Sequence, residues 1–326
     1  MKTLIDAVKS PICKGVQSYY NYRIDIAANS AFIAIFSISL IAYLATYIAT
    51  RRGLGFTVAM TLGLIAEILG YSARIMSWEN QWNETPFFMQ ICCLAFAPAF
   101  MAAGVYLCLR RIVYTFGPEN SRIPPQWYTR TFIPCDIVSL LLQGAGGGIA
   151  SVAWKDNTST TAGDNIMVAG LSFQVFTLLI FMICSIDFAI NTMRRHKTLG
   201  QEAFSQHASV VAIRGSWTFK GFVVALSLAT ICIFWRSVYR IAELSDGWNG
   251  PLMYKQGLFI GFEGVLIAVA CVSLNAFHPS VCFKEMMEGE GGLRTLKKKS
   301  MKLGRDENGT AGVLQETMKE DGTSTS

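Results

Sequence analysis

The sequence predicts an all-α, polytopic membrane protein with seven transmembrane helices. Hydrophobic residues make up 52% of the 326 residues, charged residues make up 15%, and the mean hydropathy is +0.37. These values lie outside the range of soluble globular proteins. Stretches of about 20 apolar residues, the length that crosses a hydrocarbon core of about 30 Å, occur at 27–49, 54–76, 87–109, 131–153, 166–190, 219–235 and 255–277. The sixth stretch is the shortest of them.

Lysine and arginine fall mainly into alternate loops between these spans. Arg51 and Arg52 follow the first span, and larger basic clusters follow the third and the fifth. Because cytoplasmic loops carry the excess of basic residues, we expect the amino terminus outside and the carboxyl terminus in the cytoplasm. The chain then divides into an extracellular amino-terminal segment 1–26, a seven-helix domain 27–280 and a cytoplasmic tail 281–326.

The tail is rich in charge and poor in apolar residues, which predicts a disordered segment. Its basic cluster next to the membrane is expected to contact anionic lipids of the cytoplasmic leaflet, at about 1 kcal/mol per basic residue. A stop signal for membrane insertion is the alternative interpretation of the same cluster. The cluster consists of Arg294, Lys297, Lys298, Lys299, Lys302 and Arg305.

Three sequons for N-glycosylation occur in the chain. Those at Asn83 and Asn157 fall in predicted outer loops, so both are candidate acceptors. Pro86 and the nearby membrane make Asn83 the weaker candidate. Asn308 lies in the predicted cytoplasmic tail and should stay unmodified.

An ionisable stripe lies on the second span. Glu67, Tyr71 and Arg74 are spaced i, i+4 and i+7, so they share one face of a helix that is otherwise apolar. A charge in the middle of the bilayer costs roughly 2.5 kcal/mol or more. We therefore expect this face to point into the protein interior or into a wet cavity.

Polar residues on other spans fall at a similar depth. Counted from the predicted outer ends at about 1.5 Å per residue, four of them lie roughly 12–15 Å below the outer surface. These four are Glu67, Gln143, Gln174 and Glu263. Nearer the outer mouth we expect Arg74, Gln90, Arg236, Arg240 and Glu243. The sequence thus predicts a polar layer with carboxylates deeper and guanidiniums higher.

Two interpretations of this layer remain open. Intramembrane charges usually pair, so Glu67 with Arg74, or Glu243 with Arg240, would hold helices together. Alternatively, the layer is a binding site for an amphiphile, in which acidic groups meet a cationic or hydroxylated head and apolar helix faces hold its tail. The two are compatible, because a ligand can break and remake an existing ion pair.

The fourth span carries Asp136, Ser139 and Gln143 on one face and then a glycine run. Neither a strand before the run nor a Lys-Ser/Thr after it supports a phosphate-binding loop. We expect instead close helix packing through Gly144-x-x-x-Gly148. Pro98 predicts a kink in the third span.

Several functions are excluded or disfavoured. The chain has no Walker-type phosphate loop, so we expect no ATP hydrolysis. Its three histidines do not fall at one depth, which disfavours a metal hydrolase. The expectation is therefore a non-enzyme without cofactor, metal or nucleic-acid partner, and the oligomeric state stays open.

Several of these segments together resemble the fungal lipid-translocating exporter family, which includes 7-aminocholesterol-resistance-like and sphingoid long-chain-base exporter-like proteins. The resemblance runs from about residue 30 to residue 280. Its segments are Glu67-x-x-Gly70-Tyr71-x-x-Arg74, Gln90-x-x-x-Leu94-x-x-Ala97-Pro98-Ala99, Ala103-x-x-Tyr106-x-x-Leu109-Arg110, Asp136-x-x-Ser139-x-x-x-Gln143, Gly170-x-x-x-Gln174, Arg236-x-x-Tyr239-Arg240-x-x-Glu243 and Glu263 with His278-Pro279.

The resemblance implies a seven-span protein of the plasma membrane or of internal membranes, with relatives linked to release of sphingoid bases, resistance to amphiphilic toxins and porphyrin uptake. The favoured hypothesis is a transporter or flippase-like facilitator of amphiphilic lipids. Glu67 and Glu263 would contact the head, three arginines would gate the outer mouth, and Tyr71, Tyr239 and Gln143 would donate hydrogen bonds. The alternative is a seven-helix receptor or sensor that affects lipid asymmetry and drug resistance indirectly. Substrate, direction and energy coupling stay open.

Overall fold

The computed structural model describes residues 23–80, 82–156, 158–199, 211, 214–245, 252 and 255–282. Within these residues it has seven helices long and apolar enough to cross a membrane. They are α1 (Ile26–Thr50), α2 (Leu54–Glu79), α3 (Glu84–Phe116), α4 (Pro125–Lys155), α5 (Thr161–Leu199), α6 (Trp217–Ser245) and α7 (Gln256–Cys282). The predicted all-α, seven-span class is confirmed, and the chain is an integral, multi-pass membrane protein. The tail beyond residue 282, most of the amino-terminal segment and Asn157 lie outside the described residues.

The sixth helix is longer than its apolar stretch predicts. The sequence indicated a span of 219–235, whereas α6 continues to Ser245. The added turns contain Arg236, Arg240 and Glu243, all of them buried. Because these charges pair inside the bundle, the helix extends beyond the point at which hydropathy falls.

Glycines set the closest helix contacts. A Cβ at Gly70 of α2 would lie 2.7 Å from the Leu94 side chain of α3. Between α4 and α5 the backbones themselves meet, since a Cβ at Gly146 would lie 2.5 Å from the Met167 amide nitrogen. Gly163 of α5 faces α4 in the same contact, and a Cβ at Gly163 would lie 2.5 Å from the Ala150 amide nitrogen. The α4–α5 pair therefore packs at backbone distance, and in the α2–α3 pair the Leu94 side chain lies against the Gly70 backbone.

The predicted Gly144-x-x-x-Gly148 contact is wrong in register. A Cβ at Gly148 would meet no atom within 4 Å, and one at Gly144 would only touch the Phe96 ring at 3.5 Å. Gly146, between them in the run, makes the close approach instead. The sequence alone does not show which of these residues faces the neighbouring helix, because five small residues in a row would allow a close contact on several faces.

Two local irregularities interrupt the regular helices. Pro98 lies inside α3, which continues from Glu84 to Phe116 without a break. In α7, residues Phe259–Val265 form a π-helical segment and Glu263 lies in it. A π segment turns the side chains that follow it relative to an α-helix, and such segments recur at functional sites. Both irregularities lie beside the same buried arginine.

Candidate functional site

The centre of the site is Arg236 of α6, held between two carboxylates from other helices. Its Nη2 atom lies 3.1 Å from Glu67 Oε1 on α2 and 2.8 Å from Glu263 Oε1 on α7. All three side chains have no exposed surface. A charge buried so deeply is stable only when it is paired and hydrogen-bonded. One guanidinium therefore joins three helices.

A main-chain carbonyl completes the surroundings of Arg236. Its Nη2 donates a hydrogen bond of 2.6 Å to the carbonyl oxygen of Leu94 on α3. In an α-helix that oxygen would accept from the amide four residues later, but the residue there is Pro98, which has no amide hydrogen. The proline thus leaves an acceptor, and the arginine uses it.

Arg240 extends the cluster by one turn of α6. Its Nη1 donates to Glu243 Oε2 at 2.5 Å, its Nε lies 3.7 Å from Glu263 Oε1, and its Nη2 donates to the Ile91 carbonyl at 3.5 Å. The predicted pairing of Glu243 with Arg240 is confirmed. Glu263 therefore faces both arginines.

Aromatic rings shape the side of the cluster next to α1 and α7. Tyr71 packs against Phe32 and Phe36, with ring centroids 5.2 and 5.7 Å apart. A Cβ at Gly264 would lie 2.3 Å from the Phe32 ring, so only glycine allows α7 to approach α1 here. The Arg74 guanidinium lies 3.8 Å from the centroid of the Phe259 ring, a cation–π contact.

The predicted separation of deeper carboxylates and higher guanidiniums is wrong for Arg236. This arginine contacts Glu67 and Glu263 directly. Depth was counted from an outer end placed at residue 235, whereas α6 ends at Ser245, nine residues beyond Arg236. That difference moves Arg236 about 13 Å inward. The ion pair of Glu67 is therefore with Arg236 of another helix, and not with Arg74 of its own.

Gln143 and Gln174 form a second polar contact between α4 and α5. Gln143 Nε2 donates to Gln174 Oε1 at 2.8 Å, and both side chains are buried. Gly170 permits this contact, since a Cβ there would lie 3.0 Å from Gln143 Cγ. Among the described contacts, none links this pair to Arg236. The predicted layer consequently divides into an ionic part and a neutral part.

Asp136 occupies a third position, on α4. It is buried and lies beside the hydroxyl of Tyr106 on α3. The Tyr106 ring packs on Phe181 of α5 with centroids 4.5 Å apart. No salt bridge involves Asp136 in the part of the chain that the structure describes.

The remaining predicted site residues are also inside the bundle. Gln90 is buried on α3, one turn before Leu94, and Tyr239 stacks on Phe262 with centroids 5.4 Å apart. None of the twelve predicted residues is more than 8% exposed, which confirms that their faces avoid lipid. The twelve are Glu67, Tyr71, Arg74, Gln90, Asp136, Gln143, Gln174, Arg236, Tyr239, Arg240, Glu243 and Glu263.

Sequence reasoning missed three contributors to this region: the Leu94 carbonyl, the Phe259 ring and Tyr106. The first had a usable signal, because a proline inside a helix always frees the carbonyl four residues before it. Tyr106 stands in one of the motifs that carry the family resemblance, so it had a signal too. The Phe259 ring belongs to an apolar span whose composition resembles any packed core.

The cluster contains several acidic and basic groups that could exchange ion-pair partners. Three carboxylates and three guanidiniums lie close together, namely Glu67, Glu243, Glu263, Arg74, Arg236 and Arg240. Within the described residues, Glu67 Oε1 has its ion pair with Arg236 but no hydrogen bond, and Glu67 Oε2 and the hydroxyl of Tyr71 are buried without a hydrogen bond. Buried polar groups of this kind are costly unless they find partners. A polar head that reached Glu67 and Tyr71 would supply those partners.

Residues 60–286 match the family described as "RTA1 like protein". The chain belongs to the RTA1-like family. The resemblance inferred from the motifs is thereby confirmed, and the matched range contains every residue of the ionic cluster. No solved structure matches the chain.

Three curated proteins of Saccharomyces cerevisiae are similar to this chain. The sphingoid long-chain base transporter RSB1 is 32% identical over 249 residues, which cover 70% of this chain and 65% of the transporter. Protoporphyrin uptake protein 1 is 31% identical over 222 residues, covering 67% of this chain and 68% of that protein. Protein RTM1 is 29% identical over 216 residues, covering 66% and 64%. The chain thus spans about two thirds of the length of each relative.

Proposed function

We propose that the chain is a transporter or flippase-like facilitator of amphiphilic lipids, with sphingoid long-chain bases as the first candidate substrates. The observation that carries the proposal is the position of Arg236 between Glu67 and Glu263, on three helices and without solvent exposure. Ionisable residues inside a membrane bundle mark substrate or ion pathways by default. The name of the relative RSB1, a sphingoid long-chain base transporter, supports the same substrate class.

The head group of such a lipid carries an ammonium group and hydroxyls. We assign the ammonium to Glu67, where it replaces the Arg236 guanidinium at 3.1 Å. Arg236 keeps its other two partners, Glu263 and the Leu94 carbonyl, so it is not left unpaired. Tyr71, one turn from Glu67, then hydrogen-bonds a hydroxyl of the head. The exchange conserves ion pairing, because one cation leaves Glu67 as another arrives.

We assign other polar residues to the route that the lipid head group takes before and after it contacts Glu67. Arg74 and Arg240, with Glu243, gate the outer mouth in our proposal. Hydrogen bonds along the path come from Gln90, Asp136, Gln143, Gln174 and Tyr239. The twelve predicted residues thereby keep a common role, although the two glutamines and Asp136 belong to separate contacts in this conformation.

The proposal includes the orientation and location of the chain. We propose an extracellular segment 1–26 and a cytoplasmic tail 281–326, with the plasma membrane as the site of action. Basic residues follow the ends of α1, α3 and α5, as expected for the cytoplasmic side. Without an ATP-binding motif, movement follows the lipid gradient or is coupled to an ion or a partner protein.

Reconstitution of the full chain into vesicles tests the proposal. Wild-type protein should move a labelled sphingoid base between leaflets, and Glu67→Gln and Glu263→Gln should move it about tenfold more slowly or worse, since a charge-assisted hydrogen bond contributes about 1.5–3 kcal/mol. Glu79→Gln is the matched control, because Glu79 is exposed at the end of α2. Equal rates in all variants would refute the assignment. Saturable binding without movement would instead support the sensor.

A further inference from the structure

A groove lies between α3, α5 and α6, separate from the ionic cluster. Its volume is about 420 Å³, and its walls run from Val105 to Phe116 on α3, from Phe181 to His196 on α5 and from Val223 to Ile231 on α6. Because α3 and α5 end on the side that carries the basic loops, the groove occupies the half of the bundle next to those loops.

The walls of the groove offer hydrocarbon and no free hydroxyl donors. Four hydroxyl side chains line it, and each one donates to the carbonyl four residues earlier in its own helix, at 2.7–2.9 Å. These residues are Ser185, Thr192, Ser227 and Thr230. Since the hydroxyl hydrogens are already used, the groove suits an apolar chain rather than a polar head.

The length of the groove matches one leaflet. At 1.5 Å per residue its walls are about 12 Å long on α6, about 16 Å on α3 and about 22 Å on α5. Half of a hydrocarbon core is about 15 Å. A single acyl chain, extended from the membrane surface toward the bilayer centre, therefore fits along it.

Two cationic side chains and an imidazole lie near the open end of the groove. His196 lines that end, and Lys220 continues the stripe of α6 on which Val223 and Ser227 lie. Arg214 reaches the same level, where its Nη1 donates to the Thr115 carbonyl at 3.4 Å. An anionic head group fits this charge, whereas the ammonium of a sphingoid base does not.

We propose that this groove binds one acyl chain of an anionic phospholipid from the leaflet on the basic side, with the phosphate at His196, Lys220 and Arg214. This site differs both from the ionic cluster, which receives the head of the transported lipid, and from the basic tail beyond residue 282. An anionic phospholipid would bind this groove whatever lipid the ionic cluster receives.

Native mass spectrometry of the full chain tests the site with phosphatidylserine and phosphatidylcholine as probes. Wild type should retain one phosphatidylserine more tightly than phosphatidylcholine. Ala189→Trp, which fills the groove, should abolish this retention. Ala145→Trp is the control, since Ala145 is also exposed, on α4 and outside the groove.

The charge at the mouth is tested separately. Lys220→Gln should weaken phosphatidylserine retention about fivefold, as expected for about 1 kcal/mol per basic residue. Arg130→Gln removes a charge from the exposed start of α4 and should change nothing. Equal retention of the two lipids by wild type, unchanged retention in Ala189→Trp, or equal loss in Lys220→Gln and Arg130→Gln would each overturn the proposal.

Discussion

The guanidinium of Arg236 donates a hydrogen bond of 2.6 Å to the main-chain carbonyl of Leu94. The two residues are 142 positions apart in the chain. This carbonyl is available because Pro98 cannot donate to it. The ionic cluster of the bundle therefore depends on an irregularity in α3 as well as on the carboxylates of α2 and α7.

Pro98→Ala should separate stability from transport. The new amide would donate to the Leu94 carbonyl, and alanine favours a helix interior by about 3 kcal/mol over proline. We therefore expect equal or higher thermal stability in detergent, but slower lipid movement, because Arg236 would have to share the Leu94 carbonyl with the new amide. Pro134→Ala is the control, as Pro134 lies inside α4. Wild-type transport in Pro98→Ala would show that the carbonyl contact has no functional role.

Removal of the central arginine should destabilise the bundle. Arg236→Met leaves Glu67 and Glu263 buried without their shared partner, and breaking a buried pair in this way costs about 3–5 kcal/mol. Thermal unfolding of the purified protein measures the loss. Adding Glu67→Gln to Arg236→Met should restore much of the stability, because two guanidiniums and two carboxylates then remain in the cluster and Glu263 still faces Arg240.

A surface ion pair serves as the comparison for this experiment. Arg122 lies 3.4 Å from Asp187, with side chains 73% and 41% exposed. An exposed pair contributes about 0–1 kcal/mol, so Arg122→Met should barely change the unfolding temperature. Similar losses for Arg122→Met and Arg236→Met would contradict a central role for the buried cluster.

A structural feature of this protein could be predicted from the sequence when the residues that form it lie close together in the chain. The seven spans could be predicted because each one is a local run of apolar residues. The pair Arg240–Glu243 could be predicted as well, since i and i+3 positions are neighbours on one helix. Both features require only the geometry of a single helix.

The contacts of Arg236 could not be predicted in the same way. Its partners come from α2, α3 and α7, so they depend on how four helices are rotated against one another. The π segment around Glu263 adds a local rotation that no periodic pattern indicates. Even the depth of Arg236 in the membrane could not be estimated correctly, because hydropathy falls at residue 235 whereas α6 ends at Ser245.

The glycosylation pattern tests the proposed orientation. Asn83 already acts as the helix cap of α3, with its Oδ1 accepting from the Thr85 amide at 3.2 Å. We expect a glycan at Asn157 and none at Asn83, so Asn157→Gln alone should abolish the mobility shift produced by endoglycosidase. A shift that depends on Asn308 would place the carboxyl-terminal tail outside and would reverse the orientation.

Gly146→Ala should disrupt the contact between α4 and α5. The added Cβ would lie 2.5 Å from the Met167 amide nitrogen and 2.7 Å from the Gly163 carbonyl oxygen, and backbone atoms cannot turn aside as a side chain can. We expect a loss of about 1–3 kcal/mol, measured as a lower unfolding temperature in detergent. Gly148→Ala, two residues away, is the control, because its Cβ meets no atom within 4 Å and alanine favours a helix by about 0.5–1 kcal/mol. If Gly146→Ala were as stable as Gly148→Ala, α4 and α5 could not pack at backbone distance through Gly146.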